Sequence, residues 1–554
     1  MKKIKWCWRK FCWCAFAASV LVGLKFFGLT LLVAIFGAVG YFPYQSYTDR
    51  YDALPLIEGS VEPKFTEIPL PFTHQYNGEV SLPFLASAII DVDNDGFEEV
   101  FLGGGVGQSD GLFAFKGDRF ENVAAVVNLG EMKQEPSLGA VVFDLDNNGW
   151  DDLLVSRNTG VWWYKNTEAQ FEATKLDITL EDKDNPMSLA LGDINKDGHA
   201  DLFTANYIDR DFVEGQTVFN DPTYGASSRL FLNNGDNTFT NITKESGLDF
   251  IHNTFQGMFI DLNNDTYQDL VVVYDTGHIK TWKNNGDLTF TDMVNPTHDW
   301  FGYPMGLGMS DYDKDGDPDF MFSNIGSLGA MTPVTKGDLR DDQIYHKDLV
   351  LLRNDGDFKF TDVAKEAEIA DYEFSWGVIS EDFNNDSLQD IVVAQNYVDL
   401  PQHKLFPLPG RFLLQTSDGR FTNRESVAGV ENRHFGIAPL AADFNQDGDL
   451  DLIYANLDGV SKAFINKGND THFVRVKLPN TASSLGAKVT LAVQGKDAQT
   501  AWFGPSEGLS SDSSHIIHFG VGNEIKPATL KINYLSGEEK YLKNVIFDTT
   551  LTVN

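Results

Sequence analysis

Cysteine is confined to the very start of this chain: Cys7, Cys12 and Cys14 are the only ones in 554 residues. No disulfide framework can hold the remainder, and thiolate zinc sites and redox pairs are excluded beyond that point. Positive charge is scarce as well. Lys and Arg number 43 against 80 Asp and Glu, a formal net charge of −37. Residues 1–48 hold six of the basic residues and none of the acidic ones, so everything after them carries −43. Nucleic acid is excluded as a partner by that sign, because its binding needs a basic footprint. There is no His-Glu-x-x-His, Walker loop or dinucleotide fingerprint, and no two of the eleven His residues stand four apart.

Long apolar runs are lacking too, except for one near the N-terminus. Lys2, Lys3, Lys5, Arg9 and Lys10 precede an apolar stretch from Phe11 to Phe42 that only Lys25 interrupts. Its uncharged part, Phe26–Phe42, is 17 residues, the lower end of the roughly 17–25 that cross a bilayer. Ala38-Val-Gly40 offers small residues for signal cleavage, but the stretch is long for a signal-peptide core. The expectation is an uncleaved anchor: 1–25 cytoplasmic, 26–42 a transmembrane helix, 43–63 a linker. Basic residues upstream place the bulk of the chain in the periplasm or extracellular space.

What the chain has in abundance is one acidic loop, written seven times. The clearest copy is Asp311-Tyr-Asp313-Lys-Asp315-Gly316-Asp-Pro-Asp319. Positions 1, 3, 5 and 9 are Asp91, Asp93, Asp95 and Glu99 in loop 1, and Asp144, Asp146, Asn148 and Asp152 in loop 2. Loop 3 has Asp193, Asn195, Asp197 and Asp201, and loop 4 has Asp261, Asn263, Asp265 and Asp269. After loop 5 come Asp382, Asn384, Asp386 and Asp390, then Asp443, Asn445, Asp447 and Asp451. Oxygen donors at this spacing suit a hard cation, since calcium takes about 6–8 oxygens at roughly 2.3–2.6 Å. An EF-hand is excluded because position 12 is apolar or small (Leu102, Val155, Thr204, Val272, Phe322, Val393, Tyr454) where a Glu is required. Thr266 and Ser387 replace the glycine of position 6, and Asn148 replaces a carboxylate, so loops 2, 4 and 6 are expected to bind calcium more weakly than loop 5.

Loop starts are spaced by 53, 49, 68, 50, 71 and 61 residues, the period of a repeat array. Each unit reads as a glycine-containing strand A, the acidic loop, an apolar strand B, a strand C such as Leu351-Leu-Arg-Asn354, a Gly-Asp turn and a strand D such as Phe360-Thr-Asp-Val363. Four antiparallel strands in each of seven units predict an all-β chain, a seven-bladed β-propeller over residues 64–468. The last unit lacks a strand D of its own, and Phe65-Thr66-Glu67-Ile68 matches the missing strand, closing the ring. Residues 469–554 form a further small β-sandwich-like domain.

The loops resemble the FG-GAP/VCBS calcium repeats of integrin-like propellers, over about Phe65–Gly468. The C-terminal stretch is similar to the ASPIC/UnbV domain at Ser484-Leu-Gly-Ala-Lys-Val-Thr-Leu491, Gly508-Leu-Ser-Ser-Asp512, His518-Phe-Gly-Val-Gly522 and Ile532-Asn-Tyr-Leu-Ser-Gly537. Asn533-Tyr-Leu-Ser-Gly537 departs from the Trp-Pro-Ser-Gly expected there. The pairing implies an extracytoplasmic calcium-binding protein and no settled activity. Blade topology puts the calcium loops on one face. The three long insertions (Tyr207–Ser228, Ile325–Lys347, Tyr397–Gly410) fall on the other, beside aromatic connections. Trp300, Tyr303, Trp376, His434, His252 and Tyr207 are the candidate residues there for a glycan or protein ligand. Two alternatives remain open: a polysaccharide lyase drawing on Arg210, Tyr207, His252, His434 and Arg411, and a structural protein of an envelope assembly.

Overall fold

The computed structural model describes residues 56, 61–76, 83–130, 133–207, 225–275, 277–326, 344–396, 407–468, 471–504 and 506–553. The expected anchor at 26–42 and most of the three insertions lie outside these residues. Among the described residues no helix is long and apolar enough to cross a membrane.

Among the described residues, 65–466 build seven sheets that each carry four antiparallel strands in the order A–B–C–D, with a short fifth strand beside strand A in sheet 4 (Ala226–Ser227) and in sheet 1 (Ser511–Asp512). Strand A is Ser87–Ile90, Gly139–Phe143, Pro186–Gly192, Ile251–Ile260, Leu307–Ser310, Ser375–Glu381 and Phe435–Ala442 in sheets 1 to 7. Strand B begins in every sheet at position 9 of the acidic loop, from Glu99 in sheet 1 to Asp451 in sheet 7. Strands A and B are buried almost throughout, which explains their near-continuous apolar sequence. The C–D hairpins turn at Gly235, Gly286, Gly356 and Gly419, all with positive φ.

Strand A of one sheet packs on strand A of the next from sheet 1 to sheet 4 and from sheet 5 to sheet 7, and that of sheet 1 also touches that of sheet 7. Glycine in strand A is what permits this approach. A Cβ on Gly139 would lie 2.2 Å from the Met187 carbonyl oxygen, and one on Gly377 would lie 2.6 Å from that of Ile437. Sheet 7 takes its outer strand from the other end of the array. Phe65–Thr73 pairs antiparallel with Val460–Asn466, Phe65 opposite Asn466 and Ile68 opposite Ala463. Its Phe65 ring packs edge-on against Phe383 and Phe412 of sheet 6.

The C-terminal domain is two small sheets over one core. Lys488–Val493 is flanked by Gln499–Trp502 and Ala528–Asn533, with Glu539–Lys543 outside; His472–Lys477 lies between Ile517–Gly522 and Thr550–Thr552. Val489, Leu491, Phe519, Leu530 and Ile532 form the core.

This domain is not a separate bead. Its segment 506–516 enters the space ringed by the A strands. Ser511–Asp512 adds in parallel to Ser87–Ile90, and Gly508 exchanges two backbone hydrogen bonds with Leu307 at 2.8 and 2.9 Å. Ser510 accepts from the Ala140 amide, Ser514 donates to Ala441, and Gln256 bonds both Ser506 and Ser510. At the tip, Leu509 is 0 % exposed and shares a core with Phe84, Phe255, Met305, Trp376 and Phe435. The centre of the ring is therefore filled, from one side by this segment and from the other by aromatic side chains.

Candidate metal centres

All seven loops take one backbone path. Position 4 has φ between 56° and 63° (Asn94, Asn147, Lys196, Asn264, Lys314, Asn385, Gln446), and position 6 has φ between 73° and 88°. Thr266 and Ser387 adopt this left-handed conformation at position 6, where glycine carries no Cβ strain. The position 6 amide donates to the position 1 carboxylate in every loop, at 2.7–3.2 Å. This turn points the side chains of positions 1, 3 and 5 toward one another.

Ligand atoms of Asp91, Asp93 and Asp95 lie within 4.8 Å of one another, as do those of Asp144, Asp146 and Asp152 and those of Asp311, Asp313 and Asp315. In loops 3, 4, 6 and 7 the position 3 Asn instead donates to the position 5 carboxylate at 2.8–3.0 Å. The donor set is oxygen alone, as a hard cation requires. Asp311 Oδ2 and Asp146 Oδ1 are buried with no hydrogen-bond partner, so the clusters hold acceptor capacity that the protein does not fill. The residues fit calcium.

Burial dominates the electrostatics. It pushes Asp201, Asp269 and Asp319 up to about 8, Asp152 to about 7 and Asp311 to about 6, with neighbouring loop carboxylates adding to the shift. Glu99, buried at position 9 of loop 1, is also pushed to about 8. Without a cation Glu99, Asp201, Asp269 and Asp319 favour protonation near neutral pH; with one they would ionise.

Position 9 has a second task. In loops 2 to 7 one oxygen of its Asp accepts the position 2 amide at 2.8–3.1 Å, and the other accepts at 2.6–2.9 Å the amide of an Asn or Gln at the end of strand C, its last residue except in sheet 2, where Asn166 precedes Thr167. In all of these but sheet 3, whose Asn233 bonds Ala200 and Asn237 of its own unit, that strand C residue then reaches the neighbouring sheet. Asn166 donates to the Val92 carbonyl, Asn284 to Ile194, Asn354 to Leu262 and Asn466 to Phe383. Gln415 makes the same bond to Tyr312. Sequence reasoning does not find these inter-sheet latches. Their signal is an Asn closing strand C before the Gly-Asp turn, but its partner lies a whole repeat away.

The C-terminal domain sits on the loop face. Arg475 bonds Asp443 of loop 7 and Lys477 bonds Asp91 of loop 1, at 2.8 and 2.9 Å. On loop 6, the Gly522 amide donates to the Asn385 carbonyl (2.7 Å), the Ser387 hydroxyl to the Gly520 carbonyl (2.9 Å), and His518 Nε2 bonds Asn385 Oδ1 (2.6 Å). Asn480 reaches Asp151 beside loop 2 at 3.0 Å.

On the opposite face the six candidate ligand residues divide. Trp376 (4 % exposed) and Tyr303 (7 %) are packed inside, with the Trp376 ring 5.2–6.4 Å from Phe84, Phe255 and Phe435 and its Nε1 bonded to the Asn396 carbonyl. Converging A strands leave a gap that large rings fill, so these two do not face solvent. Trp300 is half-buried and stacks on His346, centroids 3.8 Å apart. Tyr207 stacks on Phe255 and donates to Asp275 at 2.6 Å. His252 packs on Tyr274, and burial pushes its pKa down to about 3; His434 is half-buried. Among the lyase candidates, Arg411 is buried in an ion pair with Glu425, and Arg210 lies outside the described residues. One Gly-x-Ser-x-Gly motif, Gly107-Gln-Ser-Asp-Gly111, is easily passed over in the sequence. It links two strands rather than a strand and a helix, and its Asp110 is paired with Arg157 at 2.6 Å, so it is no nucleophile elbow.

Comparison with known proteins agrees with the repeat pattern. Residues 91–155, 144–204 and 261–322 match the FG-GAP-like repeat, and residues 478–554 match ASPIC and UnbV. Human cartilage acidic protein 1 is 22% identical over 531 residues, covering 88% of this chain and 74% of that protein. Its Xenopus tropicalis counterpart is 23% identical over 516 residues, covering 86% and 74%. Among solved structures, a chain in the crystal structure of BBS1N in complex with ARL6DN superposes with a TM-score of 0.42 at 10% identity, covering 73% of this chain and 97% of that one. The chain thus joins FG-GAP-like repeats in a propeller-like all-β fold to a C-terminal ASPIC and UnbV domain, the domain architecture of cartilage acidic protein 1.

Proposed function

We propose that this chain is a membrane-anchored, extracytoplasmic binding module: a closed seven-bladed propeller braced by calcium, which presents the face opposite its metal loops to a glycan or protein ligand. One observation carries the reading. The C-terminal domain covers the loop face and fills the centre of the ring, which leaves the opposite face uncovered by it among the described residues. Calcium then acts on stability rather than as a bridge to ligand, and Trp300 and His434 are the candidate residues best placed to meet one. A lectin-type or protein-binding role fits a rigid scaffold with loops at one end. The anchor at 26–42 would hold this module at the membrane with its free face outward.

The test uses the fragment of residues 44–554. Chelation should lower its melting temperature and millimolar calcium should restore it, because a cation bound to the native state stabilises by mass action. A melting curve indifferent to chelator refutes the calcium reading. Screening the fragment on a glycan array, with Trp300→Ala as control, tests the ligand face; binding unaffected by that substitution moves the site elsewhere.

A further inference from the structure

Position 4 of the loops lies between two ligand positions and supplies no ligand of its own. Its side chain leaves the loop and reaches the next one round the ring. Asn385 Nδ2 of loop 6 donates to the Gly448 carbonyl of loop 7 at 3.2 Å and to Asp449 Oδ1 at 3.1 Å. Gln446 Nε2 of loop 7 donates to the Gly96 carbonyl of loop 1 at 2.6 Å, and Asn94 Nδ2 of loop 1 to the Gly149 carbonyl of loop 2 at 2.9 Å. In all three cases the backbone acceptor is the carbonyl of position 6.

That carbonyl belongs to a peptide unit whose other end serves the metal cluster. Its N–H, on position 7, donates to the side-chain oxygen of position 5: Asp449 to Asp447 at 3.0 Å, Phe97 to Asp95 at 2.8 Å and Trp150 to Asn148 at 2.8 Å. One rigid amide plane thus joins the position 4 side chain of one loop to a ligand of the next. Hydrogen bonds in series through a polarisable group strengthen one another. Within a loop the link runs on, because ordering positions 3 and 5 fixes the backbone that aims position 4. The row stops at loop 2, whose Asn147 makes no hydrogen bond to loop 3 among the described residues. Loops 3 and 4 also reach forward, Lys196 to the Thr266 hydroxyl and Asn264 to the Asp317 carboxylate, but onto side chains rather than this peptide.

We propose that loops 6, 7, 1 and 2 are one coupled row of calcium sites, in which each position 4 side chain is a positioning residue for the site that follows. This rests on the calcium reading of the loops and adds how they fill. Once a loop is ordered by its ion, its position 4 side chain holds the peptide of the next loop, and less remains to be ordered there. The link from loop 7 to loop 1 joins residues 350 apart in sequence, at the closure of the ring.

The test follows calcium binding loop by loop in the full-length protein, by hydrogen exchange of residues 91–99, 193–201 and 443–451 as calcium is raised. Gln446→Ala deletes the amide that reaches Gly96 but no ligand. It should shift half-protection of loop 1 to about threefold higher calcium, the lower part of the range for one hydrogen bond because the contact is exposed. Loop 3 should stay where it was. Gln446→Asn should recover most of the shift, because asparagine makes the same contact from loops 1 and 6. A purely structural role would move loop 1 independently of loop 7, so a second substitution removes the loop 7 site. Asp447→Ala should shift loop 1 in wild type and shift it no further in the Gln446→Ala background. Additive shifts, or a loop 1 midpoint that Gln446→Ala leaves unmoved, overturn the coupling while calcium binding itself stands. Asn147→Ala should leave loop 3 unmoved, and a shift there denies that these hydrogen bonds carry the coupling. Calcium that protects none of the loops overturns the calcium reading together with this one.

Discussion

Asp319→Asn separates the two tasks of position 9. The carboxylate is 1 % exposed and accepts two backbone amides, from Tyr312 at 2.8 Å and from Asn354 at 2.7 Å. Asparagine has one acceptor oxygen and must turn its NH2 toward one of those amides. A buried donor left unsatisfied costs about 1–3 kcal/mol, and a lost bond to a charged acceptor lies at the upper end. With calcium bound, when the group is ionised, the substitution should therefore cost about 2 kcal/mol plus whatever the ion contributes. Ion-free, burial raises this carboxyl to about 8, so at pH 7 it is mostly protonated already and resembles the amide. There the same substitution should cost well under about 1 kcal/mol by the same bookkeeping. Urea unfolding of the 44–554 fragment, with and without chelator, measures both. Equal losses in the two conditions would show that Asp319 braces strand C without ever serving a metal.

Other outcomes follow from the same geometry. In chelator, stability should fall as pH rises from about 4, the unfolded carboxyl value, through the raised values of about 6–8 at Asp311, Asp152 and Asp269; the folded chain binds protons more tightly, so their loss weakens it. Calcium should flatten that slope, and ion-free stability that instead increases with pH contradicts the burial argument. Asn284→Ala removes bonds to Ile194 (2.9 Å) and Gln268 (3.1 Å) and should cost about 2 kcal/mol, against almost nothing for Asn285→Ala on the turn; similar melting points for the two would deny the latch. Thr266→Gly relieves a β-branched residue at φ 73° and should stabilise by up to about 1 kcal/mol, read as a higher melting temperature. A fragment starting at residue 80 lacks the outer strand of sheet 7 and should aggregate on size-exclusion chromatography, while one starting at residue 55 stays monomeric; identical elution undoes the closure.

Local and periodic features are legible in the amino-acid sequence itself. The seven loops announce themselves because each places Asp, Asn and Gly within nine residues, and their backbone angles agree from copy to copy. Phe65-Thr-Glu-Ile68 is readable as an outer strand because it repeats the wording of strand D, and it pairs with Val460–Asn466 as that wording implies. Depth is harder. Trp376, at the start of strand A of sheet 6, and Tyr303, just before strand A of sheet 5, stand where an aromatic suits a surface or a core equally well, and only the filled centre of the ring decides between them. Long-range pairing leaves no mark at all. Nothing in Gly508-Leu-Ser-Ser-Asp512 says that it will cross to strand A of sheet 1.

The cations that the C-terminal domain aims at the loops raise the question whether they compete with calcium. Geometry answers it at loop 7. Arg475 bonds Asp443 Oδ2, the oxygen that also receives the Gly448 amide. Oδ1 of the same carboxylate receives the amide of Asp447, the position 5 residue whose own side chain belongs to the cluster. Arginine therefore approaches from behind the loop, and Oδ1 remains on the side of the other donors. Lys477 repeats the arrangement at loop 1, on Asp91 Oδ2. A cation behind the first ligand weakens attraction for calcium somewhat, yet it fixes the carboxylate in the orientation that binding needs. The same contact ties the domain to a loop whose carboxylates repel one another until they are neutralised. Docking and metal binding then depend on one set of oxygens without excluding each other, which is why a domain so rich in loop contacts can lie on the acidic face of a chain carrying such an excess of negative charge.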